Sequence, residues 1–187
     1  MILSDEALDL IFRQARSHRS FTPAPVSDAL LQAVYELAKL GPTASNLQPM
    51  RVAFIKSHDA REKLFPLLDS GNVAKAQAAP VCAIIAFDTA FYETLDAERA
   101  AKYRDADNVA MLLRNSSLQG AYLMLAARAL GLDCLPMSGF DNNGIDAAFF
   151  AGTGWKSNFL CLMGHGDAAK LAPRGPRLTF DDACQVI

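Results

Sequence analysis

Val81-Cys82-Ala83-Ile84-Ile85-Ala86-Phe87 runs for seven residues without a charge or a hydrogen-bonding amide side chain. A strand with one wet face alternates apolar and polar residues, so a near-continuous apolar run of this length reads as a central strand covered on both faces. Its expected neighbours are Arg51 to Lys56, where Val52, Phe54 and Ile55 supply the apolar positions, and Asn158 to Met163. Helical patterns separate these segments. Ser4-Asp5-Glu6 reads as an N-cap with acidic first-turn residues, followed by Leu8, Ile11, Phe12 and Ala15 on one face. Ser27-Asp28 opens a second helix, with Leu30, Leu31, Val34, Leu37 and Ala38 on its buried side. A short helix is expected through Leu64, Leu67 and Leu68, and the longest from Val109 to Leu130, ended by Gly131. Helices alternating with such strands imply a layered α/β or α+β protein.

The 187 residues suit one domain spanning 1–187, with enough chain to bury a real core. Hydrophobic residues make up 51% and charged residues 20%, and the apolar surplus points to a buried cofactor or a subunit interface. A net charge of -2 without dense Lys/Arg clusters gives no reason to expect nucleic acid. Cys82, Cys134, Cys161 and Cys184 form no Cys-x-x-Cys pair, so reduced thiols in a cytoplasmic protein are expected rather than zinc or disulfides. No secretory signal and no bilayer-spanning run is visible.

The chemistry-bearing residues lie between the regular elements. Gly41-Pro42-Thr43-Ala44-Ser45-Asn46-Leu47-Gln48-Pro49 ends the second helix, Gly41 by tolerating a left-handed cap. Two prolines stiffen the loop, and four hydroxyl or amide side chains suit the polar edge of a ring-shaped ligand, although an ordinary helix-to-strand connection has the same composition. Arg16-Ser17-His18-Arg19-Ser20-Phe21 offers two guanidiniums beside a helix end. It reads as a phosphate cradle or as a solvated basic turn. Ser70 to Lys75 reads as a second polar turn, and Leu135-Pro136-Met137-Ser138-Gly139-Phe140 as a tight apolar turn where Gly139 permits close backbone approach. Segment 88–107 turns polar and reads as a lid or variable insertion, or equally as a surface helix with half-buried rings. As a lid it would offer Phe91, Tyr92 and Tyr103 for stacking and Lys102 or Arg104 for a substrate carboxylate. The 168–187 arm carries Arg174 and Arg177 in an irregular Pro/Gly stretch, then a short helix over Phe180 to Val186.

Several chemistries are excluded. Gly152-Thr153-Gly154-Trp155-Lys156-Ser157 lacks the spacing of a phosphate loop, no Gly-x-Gly-x-x-Gly follows a strand, and no Gly-x-Ser-x-Gly elbow is present. His18, His58 and His165 are isolated, so no metal site is expected.

The order Arg-Ser-x-Arg-x-Phe (Arg16 to Phe21), Gly-Pro-Thr-Ala-Ser-Asn-x-Gln-Pro (Gly41 to Pro49), Gly-Asn-x-x-Lys (Gly71 to Lys75), Pro-Met-Ser-Gly-Phe (Pro136 to Phe140) and a basic tail resembles the FMN-dependent nitroreductase family over nearly the whole chain. Arg114 to Gln119, Pro136 to Phe140, Lys156-Ser157-Asn158 and Gly164 to Asp167 look most like its malonic semialdehyde reductase (3-hydroxypropionate dehydrogenase) branch. The resemblance implies an α+β three-layer sandwich, with a central, mostly antiparallel sheet flanked by helices, in an intertwined homodimer holding FMN at the interface. It places Arg16, Ser17, His18 and Arg19 on the phosphate, ribityl chain and pyrimidine edge, with Arg174 or Arg177 added from the tail. Pro42, Thr43, Ala44, Ser45 and Asn46 would line the flavin from the partner subunit, Asn72 and Lys75 would reach the ring's carbonyl edge, and the backbone around Pro136, Met137, Ser138 and Gly139 would meet N5. The implied activity is ping-pong transfer of hydride from NAD(P)H through FMN to a small acceptor, with no side-chain nucleophile. The named acceptor is malonic semialdehyde, reduced to 3-hydroxypropionate. The alternatives are a broad nitroarene or quinone reductase and a flavin-binding protein without turnover. Ser138 stands where many nitroreductases carry Glu, and Ala15 where a second basic residue is frequent.

Overall fold

The computed structural model describes residues 2–187. Four strands, β1 (Met50–Ile55), β2 (Val81–Asp88), β3 (Asp133–Met137) and β4 (Trp155–Gly164), form one antiparallel sheet in the order β1-β2-β4-β3. The expected three-layer α+β architecture is therefore present. β2 is central, as its composition requires, with Ile84 paired to Ala53 on one side and to Leu160 on the other.

The pleat of β2 sorts its side chains into two cores. Cys82, Ile84 and Ala86 face a core shared with Leu64, Ile145, Leu160 and Leu162, under helices α3 (His58–Leu64), α4 (Ser70–Ala78) and α7 (Asn142–Phe149). Val81, Ala83 and Ile85 face the opposite core with Val34, Leu123, Ala127 and Met163, under α2 (Asp28–Ala38) and α6 (Val109–Ala129). All of Val81 and Ala83 to Ala86 are 0% exposed, so no residue of the run could be polar without a partner. Burial pushes the Cys82 thiol up to about 12. The Cys161 thiol is raised as well, by its hydrogen bond with Cys134 and then by burial. Both are therefore protonated, inert packing groups near neutrality.

The caps fall where the hydroxyls announced them. Ser4 Oγ accepts from Ala7 N at 3.3 Å, opening α1 (Asp5–Leu8), which a π-type turn at Asp9–Arg13 continues; Ser27 Oγ accepts from Leu30 N at 3.1 Å. Gly131 ends α6 with φ 84. Gly41 is different from expectation, because it is absent from the left-handed region. A Cβ there would stand 2.9 Å from Tyr122 Cγ, so Gly41 serves the close crossing of α2 over α6 rather than a cap. The same logic applies within the core at Gly120, where a Cβ would stand 2.6 Å from Phe159 Cζ. Gly120→Ala is expected to destabilise by about 2 kcal/mol through overpacking, read as a lower urea midpoint with an unchanged slope.

Three expectations are corrected. Ser70 to Lys75 is no turn but the first part of α4; Gly71 and Asn72 lower intrinsic helicity, and the burial of Ala76 against the core outweighs that local cost. Leu135 to Met137 belongs to β3, and only Ser138 to Phe140 turns. Pro136 is tolerated because β3 is an edge strand. The last helix, α8 (Phe180–Ala183), stops three residues before the expected Val186. Segment 88–107 contains a 3-10 turn at Phe91–Thr94 and α5 (Ala97–Ala101), anchored by Phe91, 0% exposed, against Leu47, Phe87 and Leu112. Among the described residues no helix is long and apolar enough to cross a membrane.

Candidate functional site

Segment 16–22 starts along the outer edge of β3 at Cys134 and continues beside His165 to Asp167, the residues that follow β4. His18 N donates to Cys134 O at 3.1 Å, Ser17 bridges Cys134, and Thr22 N donates to His165 O at 2.8 Å. The edge strand's unpaired carbonyls thus fix the basic segment. Next to it opens a cavity of about 920 Å³. Its wall holds Arg16, Ser17, Arg19, Pro136, Arg174 and Arg177, all expected from the sequence, together with Ile11, Ala121, Met124, Leu125, Arg128 and Lys170, which were not. Ala121, Leu125 and Arg128 recur at i, i+4 and i+7, the signal that could have placed them on one face of α6.

The cavity is strongly cationic in a chain of net charge -2. Arg128 is neutralised by Asp133, and Lys170 by Asp167 at 3.3 Å. Among the described residues, Arg16, Arg19, Arg174 and Arg177 have no carboxylate within salt-bridge distance. Instead, the guanidiniums hold backbone. Arg16 Nη2 donates to Ala172 O, and Arg174 Nη2 donates to Arg13 O at 2.8 Å and Ala15 O at 2.6 Å. The arm and the first helical segment are clasped reciprocally. Forked donors with no counter-anion, above an apolar wall of Met124, Leu125 and Leu135, fit a planar ring that carries a phosphate.

His18 is placed differently from its neighbours. It is 4% exposed and turned inward, with Nε2 3.4 Å from Asp133 Oδ1, while Nδ1 has no hydrogen-bond partner among the described residues. Asp133 also accepts from Arg128 and, at 3.0 Å, from Gly166 N. In this structure the imidazole is a buried brace behind the cavity, not part of its wall.

Asn72, Lys75, Ser138 and Gly139 form a second group. Asn72 Nδ2 donates to Gly139 O at 3.0 Å, and Lys75 Nζ donates to Asn72 Oδ1 at 3.0 Å. Gly139 has no room for a side chain, since a Cβ would be 2.5 Å from Asp69 Oδ2 and 2.7 Å from Asn72 Nδ2. Met137 is buried in the core, whereas Pro136 faces the cavity. Pro136 and Ser138 are two residues apart, so the two groups are about 7 Å from one another along the chain.

The loop from Pro42 to Asn46 stands apart. Lys156, which faces the Met50 row of the sheet, and Met163, which faces Cys134, are separated by about 23 Å along β4, and β1 and β3 are three strand spacings apart, about 14 Å. The loop and the arginine cavity therefore sit at diagonal corners of the sheet. The loop is strained, with Ser45 at φ 49, Asn46 at φ 55 and Gln48 at φ 46. Such residues cost of order 1 kcal/mol each and persist where surroundings over-determine them. Here Asn115 Oδ1 accepts from Ala44 N at 2.7 Å, Gln119 Oε1 from Met50 N at 3.2 Å, and Arg99 Nη2 donates to Ser45 O at 2.7 Å. Asn115→Ala is expected to cost about 2 kcal/mol by orphaning the Ala44 amide, and to speed hydrogen exchange in residues 43–48 while β2 stays protected.

Of the residues proposed to meet substrate, Phe91 is in the core and Tyr92 and Tyr103 pack edge-on against it at 5.7 and 5.3 Å. Lys102 is exposed with Glu98 at 3.8 Å, and the Arg104 guanidinium lies 6.0 Å from the Tyr92 ring. None of the five lines the arginine cavity.

A three-layer α+β domain with an arginine-lined cavity at one sheet edge offers the forked donors that a phosphate-bearing ligand requires. The chain belongs to the nitroreductase family, whose profile matches residues 12–165. It is 50% identical, over an alignment of 195 positions covering 98% of both chains, to a protein of Cupriavidus pinatubonensis provisionally named NADH dehydrogenase/NAD(P)H nitroreductase. It is 51% identical, over 191 positions and 98% of both chains, to a protein of the same name from Burkholderia lata. A solved structure from Exiguobacterium sibiricum, a nitroreductase by provisional name in complex with FMN, shares the fold with a TM-score of 0.83 at 22% identity, covering 100% of this chain and 99% of that one.

Proposed function

We propose that the protein is an FMN-dependent NAD(P)H oxidoreductase whose flavin site is completed by a second copy of the chain. The observation that carries this is the pairing of the arginine cavity with a strained loop at the opposite corner of the same sheet. One copy supplies Arg16, Arg19, Arg174 and Arg177 for the phosphate, and the other supplies Pro42 to Asn46 against the ring. Two-fold symmetry then makes two identical sites. The exposed apolar residues Leu113, Leu118 and Tyr122 of α6 are available to the interface such a dimer needs.

FMN, when bound, accepts hydride from NAD(P)H and passes it to a second substrate. The chain's own residues bind, orient and set charge. Lys75, hydrogen-bonded to Asn72, would set a cation at the ring's carbonyl edge and so favour negative charge there. The constrained backbone at Ser138 and Gly139 would offer the protein surface to the flavin's N5 edge. No side-chain nucleophile is needed, which agrees with the protonated, buried thiols.

The acceptor we favour is malonic semialdehyde, taking hydride and a proton to give 3-hydroxypropionate; this rests on the branch resemblance. The second reading is a broad nitroarene or quinone reductase, of which the relatives' names, NAD(P)H nitroreductase, speak only to the nitroarene. The test is the visible spectrum of the purified protein, with anaerobic addition of NADPH and then malonic semialdehyde or a nitroarene. Bleaching by NADPH and recovery with acceptor is the expected result, and the faster acceptor selects the reading. A colourless protein that refuses added FMN overturns the proposal, and a flavin that NADPH leaves oxidised makes it a binding protein without turnover.

A further inference from the structure

The strained loop borders a second cavity of about 410 Å³ that the flavin reading does not use. Its wall includes Asn46, Gln48, Leu95 and three cations, Lys39, Arg51 and Arg99. Two of these cations are spent: Lys39 pairs with Glu36, and Arg51 with Asp88 at 2.8 Å. Arg99 is half-buried and has no carboxylate partner among the described residues. The backbone N–H of Arg99 caps onto Asp96 at 2.9 Å, whereas its side chain makes one bond, to Ser45 O. A guanidinium carries five N–H donors in a planar fork, so most of its donor capacity faces the cavity unfilled.

The geometry points to Arg99 as the binding residue for a carboxylate on the acceptor substrate, in a subsite formed by the second cavity beside the Ser45-Asn46 turn. This rests on the reading that the loop covers the flavin, and it deepens that reading by assigning the substrate class: small acceptors bearing one carboxylate. The role passes to Arg99 from Lys102 and Arg104, because those two point to Glu98 and the Tyr92 ring. Arg99 also reaches the loop itself, so a carboxylate bound there is held against the turn that the partner's cofactor would meet. A neutral acceptor of the same shape lacks this contact and leaves the guanidinium unpaired.

The test compares holoenzyme and its Arg99→Gln variant on matched acceptors: malonic semialdehyde against propanal, and 4-nitrobenzoate against nitrobenzene. Arg99→Gln is expected to lower kcat/KM for each carboxylate member by roughly 10- to 100-fold, mainly through KM, as expected for loss of a charge-assisted bond. Because Arg99 also holds Ser45 O, the variant loosens the turn for every acceptor alike; rates are therefore compared per bound flavin, the charged members should lose at least tenfold more than the neutral ones, and Arg99→Lys should recover part of that charge-specific loss by restoring charge without the fork. Equal losses on charged and neutral acceptors, or no loss at all, would overturn the assignment. Selective loss on 4-nitrobenzoate alone, with malonic semialdehyde untouched by wild type, leaves Arg99 in place and removes the semialdehyde reading. Should wild type reduce none of the four, the oxidoreductase reading fails, and calorimetric titration with benzoate still reads the subsite: binding weakened at least tenfold by Arg99→Gln supports it, and equal binding sinks it.

Discussion

Arg16→Ala combined with Arg174→Ala is expected to yield a folded protein that purifies without flavin and binds added FMN at least 100-fold more weakly. Each guanidinium removed takes away a charge-assisted hydrogen bond to phosphate worth about 1.5–3 kcal/mol, so the pair is worth roughly 3–6 kcal/mol, or two to four decades in Kd. Both residues also clasp the arm, through Ala172 O from one side and Arg13 O and Ala15 O from the other. The arm should therefore loosen in the double variant, while the sheet, which draws no support from residues 172–187, keeps its melting point within a few degrees. All sixteen of those residues are exposed. Fluorescence titration of FMN at two salt concentrations makes the measurement. Wild-type affinity should fall with salt more steeply than the variant's, because the screened charges are those that were removed. Unchanged affinity in the double variant would show that the phosphate is held elsewhere.

Gly166→Ala has the largest expected effect on stability. A Cβ there would lie 2.0 Å from His18 Nδ1, 2.4 Å from Cγ and 2.5 Å from Cε1, deep inside van der Waals contact. The ring cannot step aside: it is 4% exposed, its backbone is tied to Cys134, and Asp133 stands on its other side. Overpacking of ordinary severity costs about 1–3 kcal/mol, and a clash this deep should cost at least about 3, lowering Tm by roughly 6–12 °C. The double change His18→Ala with Gly166→Ala removes the clash, so it should be no less stable than His18→Ala alone. A Gly166→Ala protein within about 1 kcal/mol of wild type would mean that the ring is free to move.

Both experiments concern residues whose importance was only half legible. The Arg16 to Arg19 segment and the tail arginines were readable as anion binders, because a guanidinium's affinity for phosphate is a property of the side chain wherever it stands. His18 is grouped with them by adjacency, yet along the extended stretch Ser17 and Arg19 share one side and His18 takes the other, while Arg16 stands before that stretch at the helix end. Arg16, Ser17 and Arg19 reach the cavity while His18 is turned into the protein against Gly166, a residue 148 positions away. Lys102 and Arg104 were named because they were basic and near aromatics. Arg99, three residues before Lys102, was passed over, since nothing local shows that its guanidinium meets the carbonyl of Ser45. Asn115 and Gln119 belong to the Arg114 to Gln119 stretch that carries the branch resemblance, but only packing makes them 3% exposed and aims them at the amides of Ala44 and Met50.

The sequence by itself determined the elements with local causes. These are the doubly covered central strand at Val81 to Phe87, the capped helices opened by Ser4 and Ser27, the long helix ended by Gly131, and the ordered motifs by which the family resemblance was read. Periodicity and side-chain caps are settled within a few residues, so they survive in a one-dimensional reading, whereas a glycine does not: Gly131 is left-handed and Gly41, read the same way, is not. Tertiary structure alone decided that Ser70 to Lys75 is helix, that Pro136 lies in an edge strand, that Phe91 is core, and that the Ser45 loop and the Arg174 arm sit at diagonal corners of one sheet. Those outcomes depend on burial and strand register between residues tens of positions apart, where the free energy of packing exceeds local propensity and no local pattern records the partner.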